Sequence, residues 1–522
     1  MNQPNRSRRR ITAALAVMVA ATLTLSGCVT AFFPDSLGGG NASLPSPLPD
    51  TDVAENLRPY YGQTVDWKNC GTRLTCAEIT TPMNWEEPAA GTLTLKLVRS
   101  AATGSNRIGS LLVNPGGPGA SGMELVKDSL DFAVDSSLRS RYDIIGFDPR
   151  GVGESSPVEC LSDRDTDTFL FDTSQPRPGQ AGWLEAARAQ AKNYGEACLK
   201  NTGPSLEFIN TVSAARDMDL IRSLVGDPKL NYLGYSYGTF LGATYADLYP
   251  ANAGRLVLDG AIDPSVSSDE VSATQAAGFE SALRAYLTDC LTGSGCPFRG
   301  DSVDSAMTRI SNLLEAVDRT PLVGSDGRKV GSSTLLTAII FPLYSPNNWG
   351  ALGDMLSSVM DGNADVALSF ADMYFDRKKD GTYSSNSNNA FNAYNCRDYP
   401  SNDDPAVMER AAQEIQKRAP LFGKYMSYGD VLCANWPFPD GAERTEIHAP
   451  GSPDILVIGT TNDPATPYAW SVSLAKQLEK GHLVTYHGEG HTAYNKGSAC
   501  INKTVDDFLL NGTVPAKDPD CR

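Results

Sequence analysis

Short, nearly continuous apolar runs, separated by amphipathic stretches, organise the first half of the chain. Ile108–Val113, Tyr142–Phe147, the run ending at Gly234, and Arg255–Gly260 each read as a strand covered on both faces. Thr92–Val98 alternates in character and reads as an opening strand. Val212–Leu224 and Thr239–Leu248 carry helical periodicity, and the second stops before Pro250. Strands alternating with helices predict an α/β fold, a mostly parallel sheet with helices on both faces. The alternation breaks near residue 263. From 263 to 444 the chain is helical and polar, and strands resume only at Asp454–Gly459 and Leu483–Tyr486. A long insertion between two sheet strands predicts a large, mainly helical lid. The expected organisation is a first core segment over 57–262, the lid over 263–444, and a second core segment over 445–522.

The N-terminus lies outside this pattern. Arg6, Arg8, Arg9 and Arg10 precede a short apolar run, Ile11–Leu25, which reads as an export signal and is too short to span a bilayer. The stretch ends Leu25-Ser26-Gly27-Cys28, which resembles a bacterial lipoprotein cleavage box. That resemblance implies a signal peptide over 1–27, cleavage before Cys28, and lipidation of its thiol. Residues 28–56, rich in Gly, Ser and Pro from 38 to 50, suit a tether.

The formal charge is −17, and loss of four arginines and no acid with the signal takes it to −21. An acidic chain without a basic cluster argues against nucleic acid, so membrane contact is expected through a lipid rather than a polybasic face. Of eleven cysteines, ten remain once Cys28 is set aside, an even number suited to an oxidising compartment. Their spacing predicts neighbour pairing: Cys70–Cys76, Cys160–Cys198, Cys290–Cys296, Cys396–Cys433 and Cys500–Cys521. No C-x-x-C occurs and no histidine stands at ligand spacing from a cysteine, so no metal and no cofactor is expected.

The chemistry centres on Gly234-Tyr235-Ser236-Tyr237-Gly238, the one G-x-S-x-G in the chain. An apolar strand before it and a helix after it are the setting of a nucleophile elbow. The turn lifts the Ser236 hydroxyl to a helix N-terminus, where N–H groups favour developing negative charge. After the 108–113 strand comes Asn114-Pro115-Gly116-Gly117-Pro118-Gly119. No G-K-[ST] follows, so a phosphate cradle is a poor reading; an oxyanion loop is the better one. Gly117 is the expected N–H donor, beside Tyr237, with Gly116 permitting close approach. A serine needs a base and a group that orients it. The four histidines, His448, His482, His487 and His491, all follow the insertion. The order Ser–Asp–His then selects Asp463, just past a late strand, and His491 in Gly488-Glu489-Gly490-His491. His487, at a strand end, is the competing base. Asp148 and Arg150, two apart in a Gly-rich loop, read as a structural ion pair.

The Asn114–Gly119 loop, Phe147–Gly151, Gly234–Thr239, Asp463–Pro467 and Gly490–Thr492 together resemble exported actinobacterial serine hydrolases of the α/β-hydrolase fold. That group takes in the streptomycete tripeptidyl aminopeptidases and a mycobacterial lipoprotein carboxylesterase/protease. The resemblance covers the chain from about residue 57 onward and implies hydrolysis of peptides from a free N-terminus, or of small esters. An acid at 236 would be required for a dehalogenase or epoxide hydrolase, and none is there. A non-catalytic binding lipoprotein would leave the Ser–Asp–His order a coincidence. An exopeptidase must also meet its substrate's ammonium with a carboxylate. Asp398, two past Cys396 as in the related enzymes, is the candidate.

Overall fold

The computed structural model describes residues 45–49, 53–439 and 441–522. The signal stretch, Cys28 and most of the 28–56 tether lie outside the described residues.

Along the chain the strands are β1 (Lys68–Gly71), β2 (Leu74–Pro82), β3 (Thr92–Ser100), β4 (Gly109–Asn114), β5 (Tyr142–Phe147), β6 (Leu230–Tyr235) and β7 (Ala253–Asp259). A small hairpin follows, β8 (Leu322–Val323) with β9 (Lys329–Val330), and then β10 (Ile455–Asn462), β11 (Gly481–Glu489) and β12 (Asp520–Cys521). All but the hairpin form one sheet, ordered β1-β2-β3-β5-β4-β6-β7-β10-β11-β12. β1, β2, β3 and β5 pair antiparallel in turn. Every neighbouring pair from β5–β4 onward is parallel. The fold is a mostly parallel α/β sheet, as the alternating pattern predicts, of the α/β-hydrolase type that the resemblance implies.

The parallel strands alternate between two cores. Leu256 and Leu258 of β7, with Ile455 and Val457 of β10, face one helical layer; Val257, Leu456 and Ile458 face the other. This is why these strands read as unbroken apolar runs. β4 has β5 on one side and β6 on the other. The chain reverses its direction of progress there, so a crevice opens at the carboxyl ends of β4 and β6. The expected oxyanion loop follows β4 and the elbow follows β6.

Helix α1 (Gly122–Asp128) follows β4; α2 (Asp163–Phe171), α3 (Trp183–Thr202) and α4 (Thr211–Leu224) lie between β5 and β6; α5 (Tyr237–Leu248) follows the elbow. The insertion after β7 contains α6 (Ser268–Cys290), α7 (Val303–Arg319), α8 (Ser332–Leu343), α9 (Trp349–Met360), α10 (Asp365–Tyr374), α11 (Ser387–Asp398), α12 (Pro405–Arg418) and α13 (Asp430–Ala434). Side-chain N-caps start several of them: Ser121 accepts from Glu124 N–H, Asn210 from Ser213 N–H, and Ser267 from Glu270 N–H.

Helices α6 to α10 share an apolar core of their own, with Phe279, Leu283, Ile310, Leu335 and Leu352 at its centre. Helix α11 is different. Its Ala390, Ala393 and Tyr394 pack into the core of the main sheet. The cover over the sheet also draws on the segment before the elbow. Arg188 of α3 pairs with Asp403, Tyr194 donates to Asn389, and Asp167 of α2 holds Arg377. The polar 160–200 stretch gave no sign of this, because its partners lie some two hundred residues downstream.

Five disulfides join Cys70–Cys76, Cys160–Cys198, Cys290–Cys296, Cys396–Cys433 and Cys500–Cys521. Two of them tie down the edge strands β1 and β12, which are too short to stand out in the sequence. No helix among the described residues is long and apolar enough to cross a membrane.

The expected Asp148–Arg150 ion pair does not form. Arg150 turns inward and grips Asp217 of α4 through two bonds of 2.7 Å, with both side chains fully buried. Asp148 instead accepts from the Ser121 hydroxyl and from Met123 and Glu154 N–H. A planar guanidinium meets a carboxylate fork best when the two approach end-on. A partner in the same tight loop cannot offer that approach.

Candidate active site

The turn after β6 is sharp. Ser236 has φ +54°, ψ −122°, a conformation that non-glycine residues rarely adopt. It is held there by its own N–H, donated to Asp259 O at 2.9 Å, and by its carbonyl, which accepts from Thr239 N and Oγ1. The turn brings the two flanking glycines together. A Cβ on Gly234 would lie 2.4 Å from Gly238 O, and one on Gly238 would lie 2.8 Å from Asn114 Oδ1. Side chains at either position are therefore excluded.

The loop after β4 leans on this turn. A Cβ on Gly116 would sit 2.5 Å from Tyr235 O, 2.9 Å from Ser236 Cβ and 3.1 Å from Tyr237 N. Gly116 is the point of closest approach, and its N–H is taken by Asn114 Oδ1 at 3.0 Å. The N–H groups of Gly117 and Tyr237 have no acceptor among the described residues. They are free donors on the two loops that meet at Ser236.

Asp463 and His491 lie together past the ends of β10 and β11. His491 Nδ1 stands 2.9 Å from each Asp463 oxygen. With Nδ1–H donating to the carboxylate, Nε2 is left as an acceptor for a hydroxyl proton. Asp463 also accepts from Ala465, Thr466 and Thr492 N–H and from Thr466 Oγ1. Burial pushes its carboxyl up, but the imidazole and these donors outweigh burial and hold it below the usual carboxylate range. It is therefore a carboxylate at neutral pH.

Residues 259–260 join the two halves. Asp259 O accepts from Ser236 N, and His491 Cε1 is 3.3 Å from the position of a Cβ on Gly260. The Asp259 carboxylate accepts from Ala493 and Tyr494 N–H and so fixes the chain just after His491. Lys496 donates to His491 O and Thr492 Oγ1 on the same loop.

The other histidines stand apart. His487, the competing base, pairs with Asp520 and its ring is half-exposed. His482 pairs with Asp454, and His448 is exposed beside Gln477 O.

Several residues around the site had no local signature. Tyr344, at the end of α8 in the insertion, accepts His491 N–H at 2.9 Å through its carbonyl and sets its ring edge-on to the imidazole at 5.4 Å. The N-terminal turn of α11 presses on Gly119 from the opposite side; a Cβ there would meet Ser387 O at 2.5 Å. The cover thus touches both His491 and the loop after β4. Asp398 is 6% exposed, and both of its oxygens accept from Thr211. An incoming ammonium would have to displace those bonds. Among the described residues no group of His, Cys, Asp and Glu is arranged to hold a metal ion.

The family described as TAP-like protein matches residues 419–521, the part of the chain that carries Asp463 and His491. Serine protease Hip1 of Mycobacterium tuberculosis is 34% identical to the chain, over 97% of this chain and 96% of the relative. Carboxylesterase B of the same organism is 38% identical over 89% and 91%. A tripeptidyl aminopeptidase of Streptomyces lividans is 29% identical over 88% and 86%.

Proposed function

We propose a function from one premise: the chain belongs to the α/β-hydrolase family of serine protease Hip1, carboxylesterase B and the streptomycete tripeptidyl aminopeptidase, and is a serine hydrolase. It works with Ser236 as nucleophile, His491 as base and Asp463 as the group that orients the base. The observation that carries this reading is the Asp463–His491 pair at 2.9 Å, joined through residues 259–260 to a serine held at φ +54° beside two unpaired N–H groups. Ser236 Oγ attacks the substrate carbonyl while its proton passes to His491 Nε2. The oxyanion is met by Tyr237 and Gly117 N–H. His491 then protonates the leaving amine or alcohol, and water repeats the sequence on the acyl-enzyme.

The substrate is proposed to be a peptide with a free N-terminus, from which a short peptide is released, as the name of the streptomycete relative suggests; a second relative is a protease by name. The relative with the highest of these identities is an esterase by name, and this favours hydrolysis of small or lipid-like esters as the second reading. A panel of tripeptide, dipeptide and N-acetylated amides beside simple esters, with products identified by mass, separates the two. The expected result is release of an intact short peptide, with kcat/KM at least about tenfold lower on N-acetylated analogues. Equal turnover of blocked and free peptides, with esters faster than both, would establish the esterase.

Export with a lipid anchor at Cys28 completes the proposal. It is supported by the signal-like N-terminus and by five disulfides that need an oxidising compartment. Cys28→Ala should move the protein from the membrane fraction to the soluble one with kinetics unchanged. A variant that still sediments with membranes would refute the anchor.

A further inference from the structure

We infer that Asp398 and Thr211 are positioning residues for the oxyanion hole, holding Tyr237 so that its N–H stays aimed beside Ser236. This rests on the reading of Ser236 and Tyr237 given above, and it gives Asp398 a task other than binding a substrate amine.

The contact is a buried chain of three side chains. The Tyr237 hydroxyl lies 2.6 Å from Thr211 Oγ1, and Thr211 Oγ1 lies 2.6 Å from Asp398 Oδ2. The other Asp398 oxygen accepts Thr211 N–H at 2.9 Å. None of the three residues is more than 6% exposed. The proton count fixes the direction. Thr211 has one hydroxyl hydrogen and gives it to the carboxylate, so the Tyr237 hydroxyl must donate to Thr211. Burial pushes the Asp398 carboxyl up to about 6, against the pull of the Thr211 bonds, Arg444 and Arg397. As a carboxylate it accepts both Thr211 hydrogens.

The anchorage at the far end is firm. Thr211 is the first residue of α4, where free N–H groups favour an anion. Asp398 closes α11, two residues after Cys396, which is bridged to Cys433. The Tyr237 ring meets Tyr394 edge-on at 5.7 Å, and the Tyr394 hydroxyl donates to Arg150 O.

The near end needs such support. Tyr237 opens α5 directly after a residue in a strained conformation, and its own N–H makes no bond among the described residues. Thr239 holds the shared peptide plane at Ser236 O, and the side chain is the second hold, fixing where the Tyr237 end of that plane sits. A donor displaced by about 1 Å from the developing oxyanion costs on the order of 100-fold in rate. A fully buried carboxylate is also expensive to fold around, and an amide or apolar residue would fill the space at lower cost.

Thr211→Val keeps the side-chain shape and the N–H to Asp398 but removes the hydroxyl bridge. It should lower kcat by about 10- to 100-fold on a peptide and on an ester alike, with KM within about threefold. Thr211→Ser should restore kcat to within about threefold. Asp398→Asn should lower kcat while leaving the thermal midpoint at pH 8 unchanged or raised, because it removes a buried charge. Wild-type kcat in Thr211→Val would overturn the inference. So would kcat and thermal midpoint falling together in both variants without rescue by serine, which would assign the chain to the fold. A rise in KM confined to free-amine peptides in Asp398→Asn would make that carboxylate the ammonium partner instead. Wild-type protein labelled at Ser236 by a fluorophosphonate is the control: absence of label there would sink the site reading itself, independently of Thr211.

Discussion

Ser236→Ala is expected to lose about 10⁵-fold or more in kcat and to keep its fold, its KM and its five disulfides. In the proposed triad the serine, base and acid act as one unit, so removing the nucleophile leaves only what binding and the oxyanion donors supply. The fold survives because the hydroxyl makes no bond that holds the turn. The turn is held by Ser236 N–H on Asp259 O, by Thr239 on Ser236 O, and by the two glycines that permit close approach. Alanine at φ +54° keeps all of these. Steady-state kinetics beside a thermal melt checks both halves. Turnover within about 100-fold of wild type would mean that another residue attacks the substrate.

The second large effect concerns stability. Asp217→Ala should cost about 3–5 kcal/mol, because it leaves the Arg150 guanidinium buried and uncompensated. Asp217 is the hub of this region: it takes two bonds from Arg150 and one each from Thr81 Oγ1 and Trp85 Nε1. Arg150 further donates to Met83, Phe208 and Pro82 carbonyls, so the pair ties β2 and the loop after β5 to helix α4. The loss should show as a much lower thermal midpoint or as protein recovered only in aggregates. Replacing both partners by apolar residues should restore part of the midpoint, since no orphaned charge then remains. A single variant within about 1 kcal/mol of wild type would contradict the burial of the pair.

The elements that could be read in advance share a physical reason. Strands buried on both faces must be apolar throughout, and the nucleophile elbow needs small residues two before and two after the serine, so both leave a local signature. The order of Ser236, Asp463 and His491 along the chain could be read because each follows a strand end that was itself visible. What stayed hidden depends on partners distant in sequence. Arg150 had a carboxylate two residues away and took one 67 residues away. Tyr344 reaches His491 across the lid, and Thr211 joins Asp398 across 187 positions. The part played by α2 and α3 in covering the sheet was equally silent. Its one mark is acids and arginines whose partners could not be named from sequence. Asp217 and Asp219, beside the apolar Met218, Leu220 and Ile221 of α4, were a signal of buried polar contacts. Helical periodicity alone does not say what satisfies them.

The measurement that bears most directly on the account is covalent labelling with a fluorophosphonate, with the adduct located by peptide mass. The account predicts a single adduct on Ser236, lost in His491→Ala and Asp463→Ala and retained in His487→Ala, whose ring sits with Asp520 away from the site. An adduct on any other residue, or labelling that survives loss of His491 and fails on loss of His487, would contradict it.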